Sequence, residues 1–144
     1  MARLFSILSE VIAAWQAKDV EAVLAHMADD IVWHYAAPGM PPVRGKAGAE
    51  KLLRRFQADM HDIQWRIFNH AEAGNLLFLE GVDDYRTTDG KRMAVPYAGV
   101  LEFQGDLIIG WRDYVDLGVL ADQKAGKPFT PQVEALLDRA AVSG

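Results

Sequence analysis

Apolar residues recur at helical spacing from the start of the chain: Leu4, Leu8, Val11, Ile12 and Trp15 share one face. Lys18-Asp19 interrupts the pattern, and Asp19 suits the N-cap of a second short helix carrying Val23, Leu24 and Met27. Ile31 to Tyr35 reads as a short aromatic strand. The stretch Pro38-Gly39-Met40-Pro41-Pro42 predicts an irregular loop, because prolines remove the backbone donors that a ladder needs. After Gly45, the residues Ala49, Leu52, Leu53, Phe56 and Met60 predict the buried stripe of a third helix, with Lys51, Arg54 and Arg55 on its wet side.

The period then changes from helical to two. Ile63, Trp65 and Ile67 alternate with Gln64 and Arg66, the pattern of a half-buried strand. Gly74-Asn75, Asp89-Gly90 and Gly105-Asp106 punctuate the second half of the chain. They separate strands expected over Leu76–Arg86, Met93–Phe103 and Leu107–Asp116. Past a loop at Gly126–Pro128, Thr130-Pro131 reads as N-cap and first residue of a C-terminal helix with Val133, Leu136 and Leu137. Helices first and antiparallel strands afterwards predict an α+β fold, a curved sheet with helices on one face. With no internal repeat or linker, residues 1–144 are expected to form a single domain.

Composition narrows the function classes. The net charge is -5 and basic residues are scattered, so nucleic acid is not an expected partner. No apolar run approaches the ~18 residues that span a bilayer, and no signal peptide is visible, so a cytoplasmic protein is expected. The absence of cysteine excludes disulfides, thiolate metal sites and Cys nucleophiles. His26, His34, His61 and His70 form no short ligand pair, so no metal is expected. There is no phosphate-binding glycine loop and no nucleophile elbow; no cofactor is expected.

The last strand is the most informative. Alternation places Leu107, Ile109, Trp111, Asp113 and Val115 on one face, and Ile108, Gly110, Arg112, Tyr114 and Asp116 on the other. Asp113 thus interrupts an apolar row. A carboxylate in such a row is either tied by backbone donors or an arginine, or is a desolvated acid with a raised pKa, suited to proton exchange. Asp83 interrupts a similar row, Leu77, Leu79, Gly81, Asp83 and Tyr85, and carries the same alternatives. Trp33 and Tyr35 share a face of the first strand and either fill the core or line a pocket, with His34 pointing the other way. Trp111, Tyr85 and Tyr97 complete the candidate lining of a small-molecule site.

The segment Gly110-Trp111-Arg112-Asp113-Tyr114-Val115-Asp116-Leu117 closely resembles the last strand of limonene-1,2-epoxide hydrolases, members of the SnoaL-like, nuclear transport factor 2-like superfamily. Glu80-Gly81-Val82-Asp83, the Asp89-Gly90 hairpin and Ala98 to Phe103 occur in the corresponding order, and the resemblance runs from about Leu4 to about Asp122. It implies a cone-shaped, mostly antiparallel sheet with the N-terminal helices on its concave face. It implies an apolar small-molecule ligand and a homodimer formed through the sheets. It places the water-activating base at Asp113 and the acid at Asp83. The family arginine between them falls on Gly81, and the Tyr and Asn that help hold the water fall on Trp33 and Tyr35. Without that arginine, two adjacent buried carboxylates should share one proton.

The expectation is therefore an enzyme using Asp113 and Asp83 in acid–base chemistry on an apolar molecule, whether epoxide hydrolysis or a SnoaL-like cyclisation or isomerisation. The alternative is a non-catalytic ligand-binding or interaction domain of the same fold.

Overall fold

The computed structural model describes residues 2–143. Three helices lead: α1 (Arg3–Gln16), α2 (Val20–Leu24) and, after two strands, α3 (Lys46–Asp59). The strands are β1 (Met27–His34), β2 (Val43–Arg44), β3 (His61–Ala73), β4 (Leu76–Arg86), β5 (Arg92–Gln104) and β6 (Leu107–Val115). Two further helices close the chain, α4 (Leu117–Lys124) and α5 (Pro131–Asp138). The six strands form one sheet in the order β2-β1-β6-β5-β4-β3. Every neighbouring pair is antiparallel except β1 with β6.

The α+β class and the helix-on-sheet layering agree with the sequence. Leu4, Leu8, Val11, Ile12 and Trp15 of α1 are all buried in one cluster with Leu52 and Leu53 of α3 and the inward row of the sheet. Asp19 caps α2, its carboxylate accepting the Ala22 N–H at 3.0 Å. Thr130 caps α5 through the Val133 N–H at 3.3 Å, and Pro131 opens that helix.

Three local departures have identifiable causes. Met27 belongs to β1 rather than to the second helix, because its neighbour His26 offers its carbonyl to the Ile108 N–H at 2.8 Å and so extends the β1–β6 ladder. Asp116 leaves β6 and caps α4, accepting the Val119 N–H at 3.0 Å. Simple alternation also fails within β6. Ile108 opposes Phe103 while Gly110 opposes Glu102, so Ile109 is an extra residue, a β-bulge. The bulge turns Ile108 into the core beside Trp111, both of them buried, and leaves Leu107 42% exposed.

The two faces of the sheet are covered differently. The helices α1 to α3 fill the concave face. On the convex face Phe68, Val82 and Ala94 are covered by Val133 of α5, with Val119, Phe129, Leu136 and Leu137 packed around them. Gln123 of α4 clamps β5 there: its amide oxygen accepts the Ala94 N–H at 2.8 Å and its nitrogen donates to the Ala94 carbonyl at 2.7 Å. Val82 is therefore covered within the chain, whereas Phe78 and Tyr114 on the same face stand exposed, at 41% and 49%.

Candidate active site

Asp83 and Asp113 both belong to the concave rows of their strands. On β5, the residue opposite Asp83 is Val95 and the residue opposite Asp113 is Gly99. Tyr97 lies between those two positions and points the same way, so it stands diagonally between the carboxylates. Sheet register thus gathers Asp83, Tyr97 and Asp113 on three adjacent strands.

Glycine at 99 is what makes room. A Cβ there would lie 2.8 Å from Asp113 Oδ1, inside any real carbon–oxygen contact. Asp113 itself is held by two bonds. The Trp111 Nε1–H donates to Oδ1 at 3.0 Å, and the Ala37 N–H donates to its backbone carbonyl at 2.8 Å. The Asp83 carboxylate has no hydrogen-bond partner among the described residues.

Burial dominates the electrostatics. It raises Asp83 to about 7. It raises Asp113 well above the ordinary carboxylate range, with the neighbouring Asp83 adding to the effect and the Trp111 N–H opposing it. Burial by itself favours keeping the proton on Asp113, whereas the one indole N–H favours charge there. The charge of Asp83 adds to the burial of Asp113, so the two titrations are linked. Both side chains keep part of their surface accessible, so the carboxylates are enclosed without being sealed.

Tyrosines flank the pair. Burial, then Asp83, then Asp113 push the Tyr97 phenol well above its usual value, so it stays protonated. Its hydroxyl accepts the Trp65 Nε1–H, which leaves its own proton free to donate. Burial, Asp83 and Asp59 push Tyr85 up to about 12.

The walls are aromatic. Trp65 stacks on Trp111 with centroids 5.7 Å apart, and Trp111 meets Trp33 at 5.9 Å. Phe56 contacts the edges of both Trp33 and Tyr35, at 6.3 and 6.2 Å. Trp33 is 6% exposed, and its indole N–H has no acceptor among the described residues.

The seven residues expected from the sequence fall on this one face: Asp83, Asp113, Trp33, Tyr35, Trp111, Tyr85 and Tyr97 all belong to, or border, the same buried cluster. The structure adds Trp65, Phe56 and Gly99. In the sequence Trp65 is one more member of an alternating strand, and nothing there marks it as the partner of Tyr97. Gly99 offers a faint signal, a glycine inside a strand, which commonly marks close approach of another group. Two open clefts lie elsewhere. One of about 420 Å³ borders the Thr87–Lys91 hairpin and Lys124, and one of about 530 Å³ lies on the convex side between Phe68, Pro96, Tyr114 and Leu136. Neither is lined by a carboxylate of the pair.

Residues 5–125 match the model of the limonene-1,2-epoxide hydrolase catalytic domain. The chain belongs to that family. Among solved structures, an LEH-like epoxide hydrolase of M. tuberculosis is 26% identical with a TM-score of 0.72, over 83% of this chain and 87% of that one. A candidate SnoaL-like polyketide cyclase from Shewanella denitrificans has a TM-score of 0.79 at 15% identity, over 88% of this chain and 100% of its own. A Catenulispora acidiphila protein with a ketosteroid isomerase-like fold, solved with trimethylamine, has a TM-score of 0.73 at 23% identity, over 87% and 97%.

This limonene-1,2-epoxide hydrolase family member carries glycine where its resemblance to the family calls for the arginine, and its backbone enforces the change. Gly81 faces Ile67 across the β3–β4 ladder, one residue before a bulge at Phe68. A Cβ on Gly81 would lie 2.3 Å from the Arg66 carbonyl oxygen, a backbone atom that cannot step aside. The neighbouring arginines are engaged elsewhere: Arg66 and Arg92 on Asp84, Arg112 on Glu102, and Arg86 on the Gly90 carbonyl. No helix is long and apolar enough to cross a membrane among the described residues.

Proposed function

We propose that this chain is an enzyme in which Asp113 and Asp83 act as base and acid on an apolar small molecule, with epoxide hydrolysis as the reaction. The observation that carries the reading is the pair itself: two carboxylates raised by burial, set on either side of Tyr97, with no cation bonded to either. Once its first proton has left, through about pH 7, such a pair holds one proton, which is one acid and one base.

In this reading the reactive form has the proton of the pair moved from Asp113 to Asp83, and a water molecule then gives a proton to Asp113 while its oxygen attacks one epoxide carbon. The bond from that carbon to the epoxide oxygen breaks, and the oxygen takes the proton from Asp83, giving a diol. The proton on Asp113 then returns to Asp83 within the pair. Trp111 fixes the Asp113 carboxylate through its N–H, the role of an orienting partner. The free hydroxyl proton of Tyr97 and the unpaired N–H of Trp33 are the donors for water or ligand oxygen.

One observation favours a second reaction on the same groups. Trp33, at the position of the water-holding tyrosine, has a donor and no acceptor. Together with protonated Asp83 it suits a developing enolate oxygen, as in a cyclase or isomerase using Asp113 to abstract a proton. The experiment that separates these is turnover of a small epoxide panel, limonene oxide and cyclohexene oxide included, by wild type and Asp113→Asn. Diol formed by wild type and lost in the folded variant supports hydrolysis. No diol from folded wild type removes that reaction. Ligand binding without turnover of any kind would reduce the chain to a binding domain.

We also propose a homodimer through the uncovered part of the convex face around Phe78 and Tyr114. A monomeric mass at micromolar concentration would contradict it.

A further inference from the structure

We infer that the ligand of this site carries a single positive charge, an alkylammonium group set on an apolar body. This charge names the class of substrate within the acid–base reading proposed for the pair, on which it rests, and three features of the same site support it.

The first is uncompensated charge. Among the described residues no lysine, arginine or histidine bonds Asp83 or Asp113. The basic groups around them are taken: Lys18 bonds His61, Arg54 bonds Glu50 and Glu21, and Arg66 and Arg92 serve Asp84 on the opposite face. The remaining titratable groups that interact with the pair are Tyr85 on β4 and Tyr97 on β5, neither of them cationic. A pair that keeps one of its protons therefore presents one net negative charge to whatever enters.

The second feature is that the chain cannot supply its own cation at the natural place. Gly81 is backed by the Arg66 carbonyl at a distance no side chain tolerates. The third is the wall. The rings of Trp33, Trp65 and Trp111 pack on one another with centroids 5.7 to 5.9 Å apart, and Phe56 stands edge-on to Trp33, an apolar surround suited to the body of the ligand. A neutral apolar ligand would satisfy the rings but leave the charge unmatched. An anion would be repelled.

The charge match also fixes the pH response. Cation binding strengthens as the first proton leaves the pair, through pH 7, and then levels off; an uncharged ligand shows no such rise. The direct test titrates tryptophan fluorescence with choline and with its uncharged isostere 3,3-dimethylbutan-1-ol. At pH 8 choline should bind about tenfold more tightly, or better. The preference should shrink severalfold at pH 6, and fall to about parity in folded Asp83→Asn and Asp113→Asn proteins. Equal or tighter binding of the alcohol at pH 8, binding of neither probe, or a preference unchanged in both variants would overturn the inference. Diol formation is read separately. Epoxide turnover with no cation preference sinks the ligand charge and leaves the hydrolase reading intact, whereas cation preference without turnover does the reverse.

Discussion

Asp83 and Asp84 are consecutive residues of β4 on opposite faces of the sheet, and their surroundings could hardly differ more. Asp84 faces outward yet is 5% exposed, and two arginines meet it: Arg92 as a fork at 3.0 and 2.9 Å, and Arg66 at 3.5 Å. Asp83 faces inward, is more accessible, and has neither cation nor hydrogen-bond donor. The same side chain is a structural tie on one face and an uncompensated acid on the other. The contrast teaches that burial alone does not mark a reactive carboxylate. What marks it is burial without a partner, since a paired charge is stabilised where an unpaired one must take up a proton.

The sharpest way to break the comparison is to neutralise its inner member. Asp83→Asn should lower turnover about 10³-fold, the usual scale of a general acid. It should at the same time stabilise the fold above neutrality. The folded pKa of Asp83 lies above the unfolded one, so the folded state holds its proton more tightly. Stability attached to this group is complete below about 4 and is lost as pH rises through about 7. At pH 8 the variant should be about 2 kcal/mol more stable than wild type by urea titration. A variant less stable at pH 8 would show that Asp83 is a structural tie like its neighbour.

The outer member should respond in the opposite sense. Asp84→Asn removes the charge between Arg66 and Arg92 and should cost about 3 kcal/mol of stability, with the pH profile of turnover unchanged. Next in size is Gly99→Ala, which pushes on Asp113 Oδ1. A displacement of the carboxylate by about 1 Å should cost about 10²-fold in kcat with little change in KM. The smallest effect expected is that of Trp65→Phe. It deletes the N–H donated to Tyr97 and should lower stability by about 1 kcal/mol. Chemical denaturation at pH 7 checks it, and no change would mean that the Tyr97 hydroxyl has another partner.

Much of this contrast was legible in the sequence, for physical reasons. Period-two alternation put Asp83 and Asp113 in apolar rows, and turn residues such as Asp89-Gly90 fixed where the strands end, with Gly90 at φ 86° in its hairpin. Alternation could not say which face of β4 is covered, because Leu77 and Leu79 on one side and Phe78 and Val82 on the other are equally apolar. Only the packing of α1 to α3 against one face, and of α5 against Val82, decides it. The bulge at Ile109 was invisible as well. It comes from register between β5 and β6, a property of two strands that neither encodes alone. The missing cation is the instructive case. The glycine at 81 can be read directly, but the carbonyl of Arg66 that forbids any side chain there comes from a residue 15 positions earlier, brought close only by the ladder.

The most direct test of the central claim tracks the aspartate carboxyl carbons by 13C NMR from pH 3 to pH 9, in wild type and in Asp83→Asn. A pair enclosed without a cation predicts one carboxyl step near pH 7 in wild type that disappears in the variant, with Asp113 still protonated well above the ordinary range. If every aspartate has finished titrating by about pH 5, the carboxylates are compensated by partners or by solvent. The shared proton, and with it the acid–base role of Asp113 and Asp83, would then be wrong.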